Sequence, residues 1–134
     1  MNNLRMIEHE DENDEGAEVT WEDQQRINKF SRLNARVRIL EGKLEELKQE
    51  KEALDDLATE LELADESEPI LYKIGETFVH MPISRAQTRL EKDQQDVESR
   101  LSSIVEAVED CETQMKQLKV LLYGKFGKAI NLDE

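Results

Sequence analysis

Two series of apolar residues, spaced alternately three and four apart, dominate this chain. The first runs Phe30, Leu33, Val37, Leu40, Leu44, Leu47, Lys51, Leu54, Ala58, Leu61. The second runs Leu90, Gln94, Val97, Leu101, Ile104, Val108, Cys111, Met115, Leu118, Leu122. Such spacing is the a/d seam of a coiled coil, in which each helix buries one narrow stripe against its partner. With 37% charged and 4% aromatic residues, the chain suits two seams better than a bulky three-dimensional core. Thr20 ahead of "WED" reads as an N-cap, and "SRAQ" (Ser84–Gln87) as a capping box opening the second helix. Gly124 reads as the second helix's C-terminal stop. The predicted helices, 20–64 and 84–124, are each about 60 Å long at 1.5 Å per residue. Rods of matched length joined in the middle of the chain predict an antiparallel pair.

The register follows from layering a positions against d positions. Pairs whose residue numbers sum to 148 give Phe30/Leu118, Leu33/Met115, Val37/Cys111, Leu40/Val108, Leu44/Ile104 and Leu47/Leu101, all apolar. The flanking pairs Lys48/Glu98 and Glu50/Arg100 are then opposite in charge, whereas Asp55/Glu91 is not. Lys51, Gln94 and Gln87 interrupt the seam near the centre of the chain. They read first as the place where the helices splay, and second as a register-fixing polar layer.

Between the helices lies a segment of another kind, "PILYKIGETFVHMP", Pro69 to Pro82. Its β-branched and aromatic residues and its central "GE" predict a hairpin with Gly75 first in a type II′ turn, bounded by prolines that stop both helices. A lone hairpin is marginal in water. One partner strand cannot cover Ile70, Leu71, Tyr72, Ile74, Phe78, Val79 and Met81, so residues 65–83 read as an oligomerisation segment whose partner strands come from other chains.

The net charge of −14 is unevenly placed. Nine acidic residues and no Lys or Arg lie from Glu8 to Asp23, and residues 1–19 read as an acidic disordered tail. Five basic residues (Arg26, Lys29, Arg32, Arg36, Arg38) follow without an acidic one up to Leu40. No secretory signal is visible, and the longest uncharged run, "TFVHMPIS", is far too short to span a membrane. A single Cys111, on the seam, reads as a small buried hydrophobe and fits a reducing compartment. Cytoplasm is the expected location, with a nuclear pool compatible. Isolated His9 and His80 make no metal site, and no phosphate-binding loop or nucleophile–base arrangement appears. The expectation is a non-enzyme with no cofactor, no metal, no membrane and no nucleic acid partner.

The helix–hairpin–helix plan resembles the β-type subunits of prefoldin. The likeness is specific in "WEDQQRINKFSR" (21–32), "LADESEPILYKIGETF" (63–78) and "LLYGKFGKAINLDE" (121–134), which are most similar to the eukaryotic subunit 4 branch of that family. The resemblance implies a hetero-hexameric, ATP-independent co-chaperone whose subunits pair their hairpins in a β-barrel. It also implies that the free coil ends hold unfolded proteins, notably actin and tubulin, for delivery to the cytosolic chaperonin.

At those ends, Trp21, Ile27, Val120, Leu121, Tyr123 and Phe126 lie off the seam. Two readings stand side by side: a client-binding tip, or residues that seal the coil end and anchor the tail 125–134. Two rival functions also remain. One is a structural coiled-coil scaffold; the other is a leucine-zipper-like DNA-binding protein, suggested by the basic stretch leading into heptads. Phe30, Leu33 and Val37 continue the seam through that stretch, which a DNA-reading basic helix would lack.

Overall fold

The computed structural model describes residues 18–132. Helix α1 (Trp21–Leu63) is followed by strands β1 (Ile70–Ile74) and β2 (Thr77–Met81), helix α2 (Ile83–Phe126) and a 3-10 turn, Gly127–Ala129. Two long helices with an antiparallel hairpin between them are the architecture the heptads and the central segment predict. The disorder expected of 1–19 concerns a stretch that, up to residue 17, lies outside the described residues. Two compact units result. One comprises the described residues up to Gly42 together with those from Glu106; the other is Lys43–Val105.

In the first unit the seam is closed. Phe30, Val37, Leu40, Cys111, Leu118 and Leu122 are buried. Phe30, Leu118 and Leu122 share one cluster, against which Leu33 and Met115 pack, in keeping with the expected layers. Helix α1 starts where Thr20 and Asp23 cap each other. The Asp23 amide donates to Thr20 Oγ1 at 3.1 Å, and the Thr20 amide donates to Asp23 Oδ2 at 3.1 Å. This reciprocal box satisfies two of the donors that a helix start leaves without partners.

The end of α2 departs from expectation. The helix passes through Gly124 to Phe126, and Gly127 takes the left-handed conformation instead, with φ 57°. The reason is Phe126, four residues beyond Leu122 on the same face and fully buried. A helix stopped at Gly124 would forfeit that burial.

In the second unit Leu47, Leu61, Leu90 and Val97 are buried, and Leu44, Leu54, Ala58, Leu101 and Ile104 are half-buried. The seam's polar interruption has partners. Lys51 Nζ reaches Asp55 at 3.1 Å and Glu98 at 3.4 Å, and Gln94 Nε2 donates to Asp55 at 3.4 Å. It is therefore a cross-helix polar layer and not only a splay. The partner of Glu98 is Lys51 and not Lys48, and Arg100 pairs with Asp96 in its own helix at 2.8 Å rather than with Glu50. A second correction concerns the start of α2. The Pro82 carbonyl accepts from the amides of Arg85 and Ala86, so Pro82 caps the helix and Ser84 lies inside it. Ala86, not Gln87, then takes the inward position; it is fully buried, while Gln87 is exposed.

The hairpin pairs Ile70 with Met81, Tyr72 with Val79 and Ile74 with Thr77. Gly75 has φ 63°, and no non-glycine residue among those described has positive φ, which fits type II′ and excludes type I′. One face carries Tyr72 and Met81 into a cluster with Leu61, Ala86 and Leu90, with Ile70, Ile74, Leu54, Leu57 and Ala58 packed around it. The Tyr72 hydroxyl donates to Asp93 Oδ2 at 2.8 Å, and Arg89 Nε lies 3.2 Å from the same carboxylate. Burial, then the Asp93 hydrogen bond, pushes the Tyr72 phenol well above its ordinary range, keeping it a donor at any physiological pH.

Leu47→Ala removes a buried seam side chain and should cost about 2–4 kcal/mol in denaturant unfolding, as large-to-small core changes do. Lys51→Leu, at a half-exposed layer whose ion pairs are solvated, should change stability far less. A Lys51→Leu loss equal to that of Leu47→Ala would make the polar layer a principal determinant of the pairing.

Candidate functional site

Two surfaces gather the residues that sequence reasoning singles out, one in each unit. On the hairpin, alternation along each strand sends Ile70, Tyr72 and Ile74 to one face and Leu71 and Lys73 to the other. Across the pairing register, Phe78 and His80 share the face of Leu71 and Lys73. The eight residues expected to serve oligomerisation therefore divide. Tyr72 and Met81 are buried, and Ile70 and Ile74 half-buried, against this chain's own helices. Gly75 forms the turn. Leu71 and Phe78, 51% and 58% exposed, are left uncovered together with Val79. The sheet has two strands, so the outer edge of each keeps unpaired backbone groups within the chain.

A groove of about 590 Å³ lies beside the hairpin within the same unit, lined by Leu54, Leu57, Tyr72 and Ile74 together with Arg89, Asp93 and Arg100 among others. It is an open, mixed apolar and charged surface. Of its ionisable groups, Arg89, Asp93, Asp96 and Arg100 are engaged in the Tyr72–Asp93–Arg89 and Asp96–Arg100 contacts.

The second surface is the end of the other unit, where α1 starts and α2 stops. Here too the expected set divides. Trp21, Val120 and Leu121 are 73%, 69% and 57% exposed. Ile27 and Phe126 are buried, in a cluster that also holds Phe30, Leu118, Leu122, Ala129, Ile130 and Leu132, with Tyr123 packed against it. The tail folds back after Gly127, and the Leu132 amide donates to the Tyr123 hydroxyl at 3.0 Å. Sequence reasoning left the sealing role of this tail open and did not single out Ala129, Ile130 and Leu132. The signal available was the Ile130–x–Leu132 alternation just after a glycine, a short extended pattern. Burying Ile130 and Leu132 gains about 1.5–3 kcal/mol each.

At the foot of this cluster Asp23 is the one buried charged residue among those described. Arg26 Nη1 meets its Oδ1 at 3.0 Å, and Lys125 of α2 pairs with its Oδ2. Burial alone would raise the Asp23 pKa. The Lys125 and Thr20 hydrogen bonds outweigh it and hold the carboxyl at about 2. The basic stretch from Arg26 to Arg38 keeps Phe30 and Val37 buried and Leu33 half-buried, so α1 does not part from α2 there as a DNA-reading helix would. Among the described residues no three His, Cys, Asp or Glu side chains are placed to hold a metal, and no helix is long and apolar enough to cross a membrane.

Because the Asp23 pKa is lowered on folding, its stabilisation is present above the ordinary carboxylate range and is lost as pH falls towards about 2. Asp23→Asn should lower the melting temperature at neutral pH and flatten its decline between about pH 4 and 2 relative to the parent chain. Circular dichroism melts over that range provide the check, and parallel declines would assign the acid sensitivity to other carboxylates.

Residues 24–129 match a family described as prefoldin subunit. Prefoldin subunit 4 of Saccharomyces cerevisiae is 40% identical over 117 residues, covering 87% of this chain and 91% of the yeast protein. Prefoldin subunit 4 of Homo sapiens is 34% identical over 120 residues, covering 89% and 90% respectively. The crystal structure of the prefoldin beta subunit from Thermococcus strain KS-1 superposes with a TM-score of 0.71. It covers 83% of this chain and 97% of that chain at 12% identity, a likeness of fold.

Proposed function

The chain belongs to the prefoldin subunit family, and on that premise we propose that it is one subunit of a hetero-hexameric, ATP-independent co-chaperone in the cytoplasm. In this reading it captures unfolded proteins, notably actin and tubulin, and hands them to the cytosolic chaperonin. Members of the family are non-enzymatic chaperone components that assemble with one another.

The observation that carries the proposal is the hairpin. It is fixed to its own helices through Tyr72 and Met81 while its other face offers Leu71 and Phe78 to solvent. A rigid two-stranded sheet with open edges and an apolar outer face suits strand pairing with other subunits. A scaffold without client capture would share this assembly, so the coil ends distinguish the two. There Trp21, Val120 and Leu121 stand exposed beside a packed cluster, the arrangement expected of a surface that grips many sequences through weak apolar contacts.

Replacing Leu71 and Phe78 together with Asp should leave the helical signal intact and abolish incorporation into the complex, read by native mass after co-expression with related subunits. Normal incorporation of that variant would remove the hairpin from the assembly mechanism. Changing Trp21, Val120 and Leu121 to Ser should leave assembly unchanged and weaken suppression of client aggregation partially, because several tips acting together dilute each local loss. Undiminished suppression by an intact complex would favour the scaffold reading of these coil ends.

A further inference from the structure

One flank of α1 carries Lys29, Arg32 and Arg36, spaced three and four apart and so on one face of the helix. All three are exposed, and among the described residues none has a side-chain hydrogen bond or ion pair. Arg26, earlier in the helix, is taken by Asp23. Cations at this spacing repel one another, and no acidic residue lies from Gln24 to Leu40 to separate them. Helix α2 does not make up the lack. In the pairing register its flank beside the row offers Leu121, Gln117 and Gln114. Asp110, an acid further along that flank, accepts from Gln114 Nε2 at 2.9 Å. One turn beyond Arg36, on the same side of α1, stands Ile39, 62% exposed. From the start of α1 the face therefore presents three unpaired cations and then an apolar side chain.

The sequence ahead of α1 carries the complement. Residues 6–15 include six acids (Glu8, Glu10, Asp11, Glu12, Asp14, Glu15) and no Lys or Arg, with Met6 and Ile7 before them. Counted back from Thr20, the acids come first and the apolar pair after, the order in which α1 presents its cations and then Ile39. The lengths agree as well. Ile7 is thirteen residues from Thr20, a reach of about 43 Å at about 3.3 Å per residue. Ile39 is nineteen residues beyond Thr20, about 28 Å along the helix. We propose that Lys29, Arg32, Arg36 and Ile39 form a docking face for an acidic segment with an apolar end, and that its occupant is residues 6–15 of the same chain, doubled back along α1. Single exposed ion pairs hold weakly, but a tether this short gives an effective concentration on the order of millimolar. Each pair also relieves repulsion within the row. Bound in cis, the segment keeps other acidic chains off this flank of the coil end. The inference does not rest on client capture.

The test uses the full-length chain and a zero-length carbodiimide coupling, mapped by peptide mass spectrometry. Lys29, the one amine in the row, should couple to carboxylates of residues 8–15. Its yield should fall about fivefold or more between about 50 mM and 0.5 M salt. In a mixture of isotope-labelled and unlabelled chains, the links should join residues of the same chain. A fluorescent peptide with the sequence of residues 6–15 then reports whether the face is already occupied. Changing the four Glu of the segment to Gln and the two Asp to Asn should raise affinity for this peptide about tenfold over the parent, because the face is vacated. Adding Arg32→Gln and Arg36→Gln to that background should take the gain back. Absence of Lys29 links to residues 8–15 would overturn the proposal. So would links chiefly between labelled and unlabelled chains, which would make the occupant a second copy. A helical acid-to-amide variant that binds the peptide no better than the parent would also overturn it, since the face would then stand open in the parent chain.

Discussion

The pairing register of the two helices is the constraint on which everything else depends. Apolar layers alone do not fix it, because sliding one helix by a heptad again brings a positions against d positions. Polar contacts break the tie. In one unit Asp23 meets Lys125, and in the other Lys51 meets Glu98 and Gln94 meets Asp55. Each pair has residue numbers summing to 148 or 149, so each unit independently keeps the register that the apolar layers allow. A heptad slip would leave Asp23 buried without its lysine, an expensive arrangement for a carboxylate. The solvated Lys51 layer contributes less energy and the same directional information.

Much of this was legible in the sequence because the signals are periodic or local. The seam repeats over more than thirty residues in each helix, so single exceptions do not hide it, and of the predicted seam positions Gln87 alone is exposed. The type II′ turn was legible because one glycine in a two-residue loop leaves few alternatives. The facing of the strands was not. Both faces carry large apolar residues, Tyr72 and Ile74 on one, Leu71 and Phe78 on the other, so alternation cannot say which face the helices take. Tyr72 decides it through Asp93, a partner twenty-one residues away that no local pattern announces. The helix termini failed for a related reason. Gly124 and Gly127 are equally plausible stops by composition, and the choice between them is made by the burial of Phe126.

The coil end shows where periodic reasoning stops. Six residues were grouped there because they depart from the heptad, and that single criterion gathered two kinds of side chain. Ile27, Tyr123 and Phe126 leave the a/d stripe yet lie towards the cluster that the returning tail completes. Trp21, Val120 and Leu121 leave it towards solvent. A two-stranded coil has only one stripe, so any third element that packs on it converts off-seam residues into core. The tail is such an element, and its contribution appears only in the folded chain.

The chemistry of sealing and of capture is the same chemistry, which is why the sequence could not separate them. Both need apolar side chains at a coil end with backbone hydrogen-bonding groups nearby, and they differ in whether the covering segment leaves. A covering strand held by many ladder hydrogen bonds would close the end permanently. Ala129, Ile130 and Leu132 of the described tail join the cluster, and the Leu132 amide donates to the Tyr123 hydroxyl, among other contacts. Which of the two a coil end serves is therefore read from whether its covering segment exchanges, not from its composition.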